Sequence, residues 1–119
     1  MSGRKKSVSA EPWIPAKATE KIREKAQDTA LDVGLTNHTK EQMAARGLIM
    51  SDVLHVLKYG YVYEPAEPAK EQGYHKYKIE SPTPNSGNRA VRVVVIPYRT
   101  PTLTIVTVMW ADEKSKQSA

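Results

Sequence analysis

The chain has no cysteine among its 119 residues. Disulfide bonds, thiolate zinc sites and a cysteine nucleophile are therefore excluded. Its six glycines form neither G-x-G-x-x-G nor a P-loop, so neither of these phosphate-cradling nucleotide motifs is present. The three histidines, His38, His55 and His75, are not spaced four residues apart as in a helical metal site. We expect neither a metal nor any other cofactor.

Long apolar runs are also missing. The longest, residues 91–97, is interrupted by Arg92 and is far too short to span a bilayer. No apolar stretch follows the basic residues near the N-terminus, so a secretory signal is not predicted. We expect a bacterial, cytoplasmic protein that has no membrane partner.

Basic residues exceed acidic ones, at 18 against 13, giving a net charge of +5. This excess favours polyanionic partners, either RNA or an acidic protein. Residues 1–12 and 111–119 carry few large apolar groups, so we predict two disordered tails, the first of them basic. Residues 13–110 are predicted to form a single domain, because the chain is too short to bury a second core.

Three helices are predicted in the first sixty residues. Residues 16–33 carry alanine, isoleucine and valine at helical spacing, and this alanine-rich face packs either on its own chain or across a homodimer. Thr36 or Asn37 caps a second helix, and Ser51 caps a third. The helices stop at glycines, in order Gly34, Gly47 and Gly60.

After Gly60 the apolar period changes from about four residues to two. Strands are predicted over residues 61–63, 74–80, 90–96 and 103–109. The fold class is therefore α+β, with N-terminal helices followed by a four-stranded antiparallel sheet.

A basic and aromatic set of side chains is the remaining candidate for chemistry. Lysines on one face of residues 74–80 and an arginine on the next strand predict a cationic sheet surface, which holds RNA phosphates while aromatic rings stack on unpaired bases. The RNA-binding candidates are Tyr74, Lys76, Lys78 and Arg92.

Metal-independent RNA cleavage needs a proton-transfer group near neutral pKa and a cation that stabilises the charged transition state. The catalytic candidates are His38 and Arg46 of the second helix. Structural roles stay open for them: His38 can make a local cap, and Arg46 can be a cation at a helix C-terminus. Lys76 and Lys78 can equally form a solvated strand face.

A spaced motif runs through the second and third helices. It reads Thr36-x-His38-x3-Gln42-Met43-x2-Arg46-Gly47-Leu48-x3-Asp52-Val53-x2-Val56-Leu57-x2-Gly60. The motif resembles a family of small bacterial domains of unknown function that is similar to the BrnT toxins and, more distantly, to the RelE/ParE toxin superfamily. Two positions depart from the family pattern, because Gln42 stands where arginine is usual and Thr39 where alanine is.

The resemblance implies a RelE/BrnT-like fold over about residues 35–109, an mRNA-cleaving activity and an antitoxin bound across the active face. Our first hypothesis is therefore a toxin or toxin-derived domain that cleaves RNA without metal. Its partners would be RNA, either free or associated with ribosomes, and an antitoxin or other protein. The alternative is a non-enzymatic protein-binding module, a regulator or inhibitor on the same scaffold. Gln42 and the lack of a complete acid/base pair favour this alternative.

Overall fold

The computed structural model describes residues 11–98 and 101–113. Its helices are α1 (Pro15–Ala26), α2 (Asn37–Arg46) and α3 (Met50–Tyr59). Its strands are β1 (Asp32–Leu35), β2 (Tyr61–Val62), β3 (Glu67–Pro68), β4 (His75–Ser81), β5 (Val91–Pro97) and β6 (Thr102–Trp110). Of the two tails predicted to be disordered, residues 1–10 and 114–119 lie outside the described residues, whereas residues 11–12 and 111–113 are described.

The sheet is mixed and six-stranded, in the order β1-β6-β5-β4-β2, with β3 paired to β4. Strand β1 runs parallel to β6, and the other pairs are antiparallel. The α+β class is thus confirmed, whereas the prediction of a four-stranded antiparallel sheet is wrong in strand number and direction. The four predicted strands correspond to β2, β4, β5 and β6, so the error lies in the two added strands.

The main error concerns β1, which the sequence pattern places at the end of the first helix. Helix α1 ends at Ala26, and a turn follows in which Asp28 Oδ1 accepts a hydrogen bond from the amide of Ala30 at 2.8 Å. The amide of Asp32 then donates to the carbonyl of Pro101 at 2.9 Å, which starts the pairing with β6. The apolar residues of this segment continue the helical spacing of α1, so the sequence alone predicts a helix. Pairing with β6 makes the segment a strand, because tertiary contacts override local helix propensity.

The core lies between the helices and one face of the sheet. Side chains alternate along β5 between fully buried and half-buried, as expected for a strand with one covered face. The completely buried core residues include Ile22, Val53, Val56 and Leu57 from the helices and Ile79, Val93, Val95, Ile105 and Val108 from the sheet.

Helix α1 packs against its own chain. Ala18 and Ile22 are completely buried there. The guanidinium of Arg23 donates to the carbonyls of Tyr59 and Gly60, at 2.9 and 3.0 Å, and thereby satisfies the C-terminal end of α3. Of the two packings left open by the sequence, the structure shows the one within the chain.

Helix α2 has the ends that its sequence predicts. The hydroxyl of Thr36 accepts a hydrogen bond from the amide of Thr39 at 3.0 Å, which caps the first turn. Gly47 ends the helix in the left-handed region, with φ of +68°, where a side chain would be strained.

Helix α3 begins differently from the prediction, because Asp52 rather than Ser51 satisfies its first turn. The carboxylate of Asp52 accepts hydrogen bonds from the amide of Ile49 (2.8 Å), the hydroxyl of Thr83 (2.6 Å) and the side-chain amide of Asn85 (3.0 Å). Burial alone would raise the pKa of Asp52, but these donors outweigh it and the pKa lies below its ordinary value. The carboxylate therefore ties the β4–β5 loop to α3.

The outer edge of β6 beyond β1 is satisfied by side chains of α2. The hydroxyl of Thr39 donates to the carbonyl of Ile105 at 3.2 Å, and Gln42 Oε1 accepts a hydrogen bond from the amide of Val108 at 3.1 Å. Strand β1 pairs with β6 only as far as Ile105. Helix α2 thus takes the place of a neighbouring strand where β1 has ended.

We expect Thr39→Val to destabilise the fold by about 1–3 kcal/mol, because the isosteric change leaves buried carbonyls of β6 without a donor. Urea unfolding, followed by circular dichroism, measures the effect. Thr39→Ser keeps the hydroxyl and is the matched control, with a smaller loss. Equal stability of the valine variant and the unmodified chain would contradict the role given to Thr39.

Candidate functional site

The predicted site residues lie on two separate parts of the fold. His38 and Arg46 belong to α2, whereas Tyr74 immediately precedes β4 and the remaining candidates, Lys76, Lys78 and Arg92, lie in β4 and β5. The three sheet cations are half-buried, and they alternate with buried residues of the core face. They therefore point to the sheet face opposite the core, as the alternation in the sequence predicts.

The sheet cations are paired with carboxylates. Lys78 Nζ lies 3.3 Å from Glu64 Oε1 and 3.3 Å from Glu67 Oε2. Burial would lower the pKa of Lys78, but hydrogen bonds to the two glutamates outweigh it and raise the pKa. Arg92 Nε donates to Glu80 Oε2 at 2.7 Å. The structure thus brings Lys78 and Arg92 to one face, but as ion pairs rather than as a bare cationic surface.

Tyr74 and Lys76 stand in different surroundings. The ring of Tyr74 packs on that of Tyr98, with centroids 4.5 Å apart and planes tilted by 53°, so it already contacts one aromatic side chain. Lys76 is half-buried opposite Glu67 in the β3–β4 register, and within residues 11–98 and 101–113 it makes no ion pair. Of the sheet candidates, Lys76 alone keeps its charge uncompensated by a described carboxylate.

Arg46 binds a carboxylate that lies just beyond β6. Its Nε donates to Glu113 Oε1 at 3.0 Å, its Nη2 donates to Glu113 Oε2, and its Nη1 donates to the carbonyl of Gln42 at 3.0 Å. Glu113 Oε1 also accepts a hydrogen bond from the amide of Trp110 at 3.0 Å. The hydrogen bond from Arg46 lowers the pKa of Glu113 to about 2.

His38 lies exposed on the surface of α2. It does not cap the helix, since Thr36 does so. Within the part of the chain that the structure describes, His38 makes no hydrogen bond or ion pair, so no acid or base partner is placed beside it. The described residues therefore do not assemble an acid/base pair around this histidine.

Positive charge is unevenly distributed along the chain. The described residues contain all 13 acidic residues but only 12 of the 18 basic ones, which gives that part a net charge of −1. The other basic residues are Arg4, Lys5, Lys6, Arg99, Lys114 and Lys116. Electrostatic attraction of a polyanion by the described residues is consequently weak.

A group of exposed tyrosines was missed by the sequence reasoning. Tyr59, Tyr61 and Tyr63 are 57%, 54% and 66% exposed, and we call them the tyrosine surface. The guanidinium of Arg23 lies 4.5 Å from the ring centroid of Tyr61, which in turn lies 6.3 Å from that of Tyr63. For Tyr61 and Tyr63, which flank Val62, the spacing of two residues is the signal that could have revealed them, because alternate residues of an extended chain share a face.

Among residues 11–98 and 101–113, no three histidine or acidic side chains come close enough to hold a metal ion. Nor does any helix in those ranges have the length and apolar character needed to cross a membrane.

We expect Arg46→Met to raise the pKa of Glu113 from about 2 toward its ordinary value of 4.5, since the main donor to the carboxylate is lost. Because the folded pKa is depressed, the pair stabilises the fold above pH 4.5, and this contribution disappears as the pH falls through about 2. NMR titration of the glutamate side-chain carbonyl carbons measures it. Arg89→Met, which breaks the neighbouring pair with Asp112, is the control and should change the pKa of Glu113 little. An unchanged Glu113 pKa in the Arg46 variant would rule out this assignment.

Comparison with known proteins gives one family. The model of a family described as a domain of unknown function (DUF4258) matches residues 35–110. No curated protein and no solved structure matches the chain. The matched region begins at the last residue of β1 and ends at the last residue of β6, so it includes Arg46 but neither α1 nor Glu113.

Proposed function

The chain belongs to the DUF4258 family of domains of unknown function, and from that premise we propose that it is a non-enzymatic protein-binding module. The observation that carries the proposal is the pairing of the candidate cations. Arg46, Lys78 and Arg92 each bind a carboxylate of their own chain. Each of the three would have to share or give up that carboxylate to hold a phosphate.

The energetics of RNA binding support this choice. Affinity for RNA comes largely from cations that replace the counterions of phosphates, and a cation already paired with a carboxylate must first lose that partner. A net charge of −1 over the described residues adds no long-range attraction. Protein partners do not require such a charge excess, because the centre of a protein interface is depleted in charged residues.

The tyrosine surface is the docking surface that we propose. Tyrosine is enriched at the centre of protein interfaces, because its large rigid ring buries apolar area while its hydroxyl forms hydrogen bonds. Tyr61 lies opposite Glu80 in the β2–β4 register, on the sheet face that carries the ion pairs. A partner seated there would meet aromatic rings surrounded by compensated charges.

A photo-crosslinking amino acid placed at Tyr61 or Tyr63 should form a covalent adduct with one protein partner in cells. Crosslinking at Ile49, a large side chain that is 56% exposed elsewhere, is the control and should form no such adduct. Mass spectrometry identifies the adduct. The unmodified complex should survive 1 M salt, because salt screens charges and weakens contacts between buried aromatic rings little. Absence of a specific adduct at both tyrosines, or the same adduct at Ile49, would overturn the proposal.

The same proposal includes a RelE/BrnT-like scaffold, which the spaced motif supports. Several motif residues have structural reasons: Gly47 is left-handed, and Asp52 satisfies the first turn of α3. At Gly60 a Cβ atom would lie 2.6 Å from the carbonyl of Val56, so no larger residue fits without movement. The motif thus supports a shared backbone more directly than it supports a shared activity.

Metal-independent RNA cleavage by a toxin or toxin-derived domain is the second candidate function. The observation that favours it is His38, which is exposed and unengaged by the described residues and is therefore available for proton transfer. The six basic residues outside the described ranges supply the charge that RNA binding would need. An antitoxin would then be the protein partner.

If this second function holds, purified protein cleaves messenger RNA in EDTA, with or without ribosomes, and its expression slows bacterial growth. His38→Ala should then reduce cleavage by at least about 100-fold, the usual contribution of a general acid or base. His75→Ala is the matched control, because that histidine lies in β4 on another part of the fold. Intact RNA and unchanged growth would exclude cleavage as the function.

A further inference from the structure

The carboxylate of Glu113 occupies a site with three donors. Two are the Nε and Nη2 groups of Arg46, and the third is the backbone amide of Trp110. A further hydrogen bond fixes the position of the guanidinium, since its Nη1 group donates to the carbonyl of Gln42. The side chains of Arg46 and Glu113 are only 21% and 26% exposed, so the pair is partly withdrawn from water.

The donors of this site belong to α2 and β6, whereas the residue that occupies the site follows the last strand. The amide of Trp110 belongs to the edge of β6, past the positions where β1 and α2 supply partners. Arg46 and Trp110 lie within the family match, and Glu113 lies three residues past its end. The donors of the site therefore lie within the family domain of this chain, whereas the residue that fills the site lies outside it.

We propose that Arg46 and the amide of Trp110 form a binding site for an acidic side chain of a protein partner, and that Glu113 occupies this site in cis until the partner displaces it. The inference rests on the proposed protein-binding function and deepens it, because it assigns the chemistry of one contact. Glu113 acts as a tethered competitor, and its short connection to Trp110 gives it a high effective concentration.

A carboxylate fits this site, and charge distinguishes it from a nucleic-acid phosphate. The two oxygens of Glu113 meet two parallel donors of the guanidinium, a bidentate arrangement that carboxylates and phosphates both make. Glu113 itself shows that a glutamate fits. The net charge of −1 over the described residues gives no added attraction to a polyanion, whereas a single acidic side chain needs none.

Glu113→Gln tests the inference in the full chain. The probe is a hexaglutamate peptide, and the readouts are the NMR signals of Arg46 Nε–H and the Trp110 amide. We expect the variant to bind the peptide about tenfold more tightly than the unmodified chain, because its site is no longer filled in cis. Asp112→Asn is the matched control. It makes the same change of charge one residue away, at a carboxylate paired with Arg89, and should bind as the unmodified chain does.

The combined variant Glu113→Gln with Arg46→Met should lose the gain, while a native-like amide spectrum confirms that it folds. An equal gain from Asp112→Asn, no gain from Glu113→Gln, or a gain that persists without Arg46 would each overturn the inference. A single-stranded RNA hexamer that bound the Glu113 variant more tightly than hexaglutamate would overturn the assignment to a protein carboxylate.

These results are separable from the proposed function. Peptide binding is measured without the natural partner, so a failed search for crosslinked partners, beside a tenfold gain in the Glu113 variant, would overturn docking at the tyrosine surface and leave the carboxylate site standing. A partner captured equally well by the unmodified chain and by Arg46→Met would overturn this inference alone.

Discussion

The edge of β6 that faces away from β5 is the constraint on which the rest of the domain depends. A buried backbone group without a hydrogen-bond partner costs about 1–3 kcal/mol, and β6 is the longest strand, with nine residues. Its edge is satisfied in succession by β1, by Thr39 and Gln42 of α2, and by Glu113. These bonds set the rotation of α2, which turns Arg46 toward the end of the sheet and leaves His38 exposed.

The same constraint explains why the motif says more about fold than about activity. Gln42, at a position where the resemblance leads us to expect arginine, uses its side-chain oxygen to accept a hydrogen bond from the amide of Val108. An arginine has no acceptor and could not make this bond. Gln42 therefore completes the edge of this sheet, and Thr39, the other position that departs from the expected pattern, does the same at Ile105.

Local signals made much of the fold predictable. Thr36 and Gly47 mark the ends of α2 correctly because capping and left-handed backbone depend on neighbouring residues, and the alternation of β4 follows from its own side chains. Strand β1 was not predictable, since Asp32–Leu35 becomes a strand only by pairing with Thr102–Ile105 far along the chain. The loss of the cationic surface was hidden for a related reason, because the glutamates that neutralise Lys78 come from a separate loop and strand.

Total charge is a poor guide to what the molecule binds, because folding decides which charges remain available. The sum of +5 favours a polyanionic partner, either RNA or an acidic protein, yet the described residues sum to −1 and Arg46 is already bound to Glu113. Both candidate functions involve the pair of Arg46 and Glu113. A phosphate in a transition state and an acidic side chain of a partner would each need the guanidinium that Glu113 now holds, and each must first displace a carboxylate whose pKa is about 2. At neutral pH that carboxylate is fully charged, so protonation does not release it and only a competing anion or the departure of the C-terminal segment can.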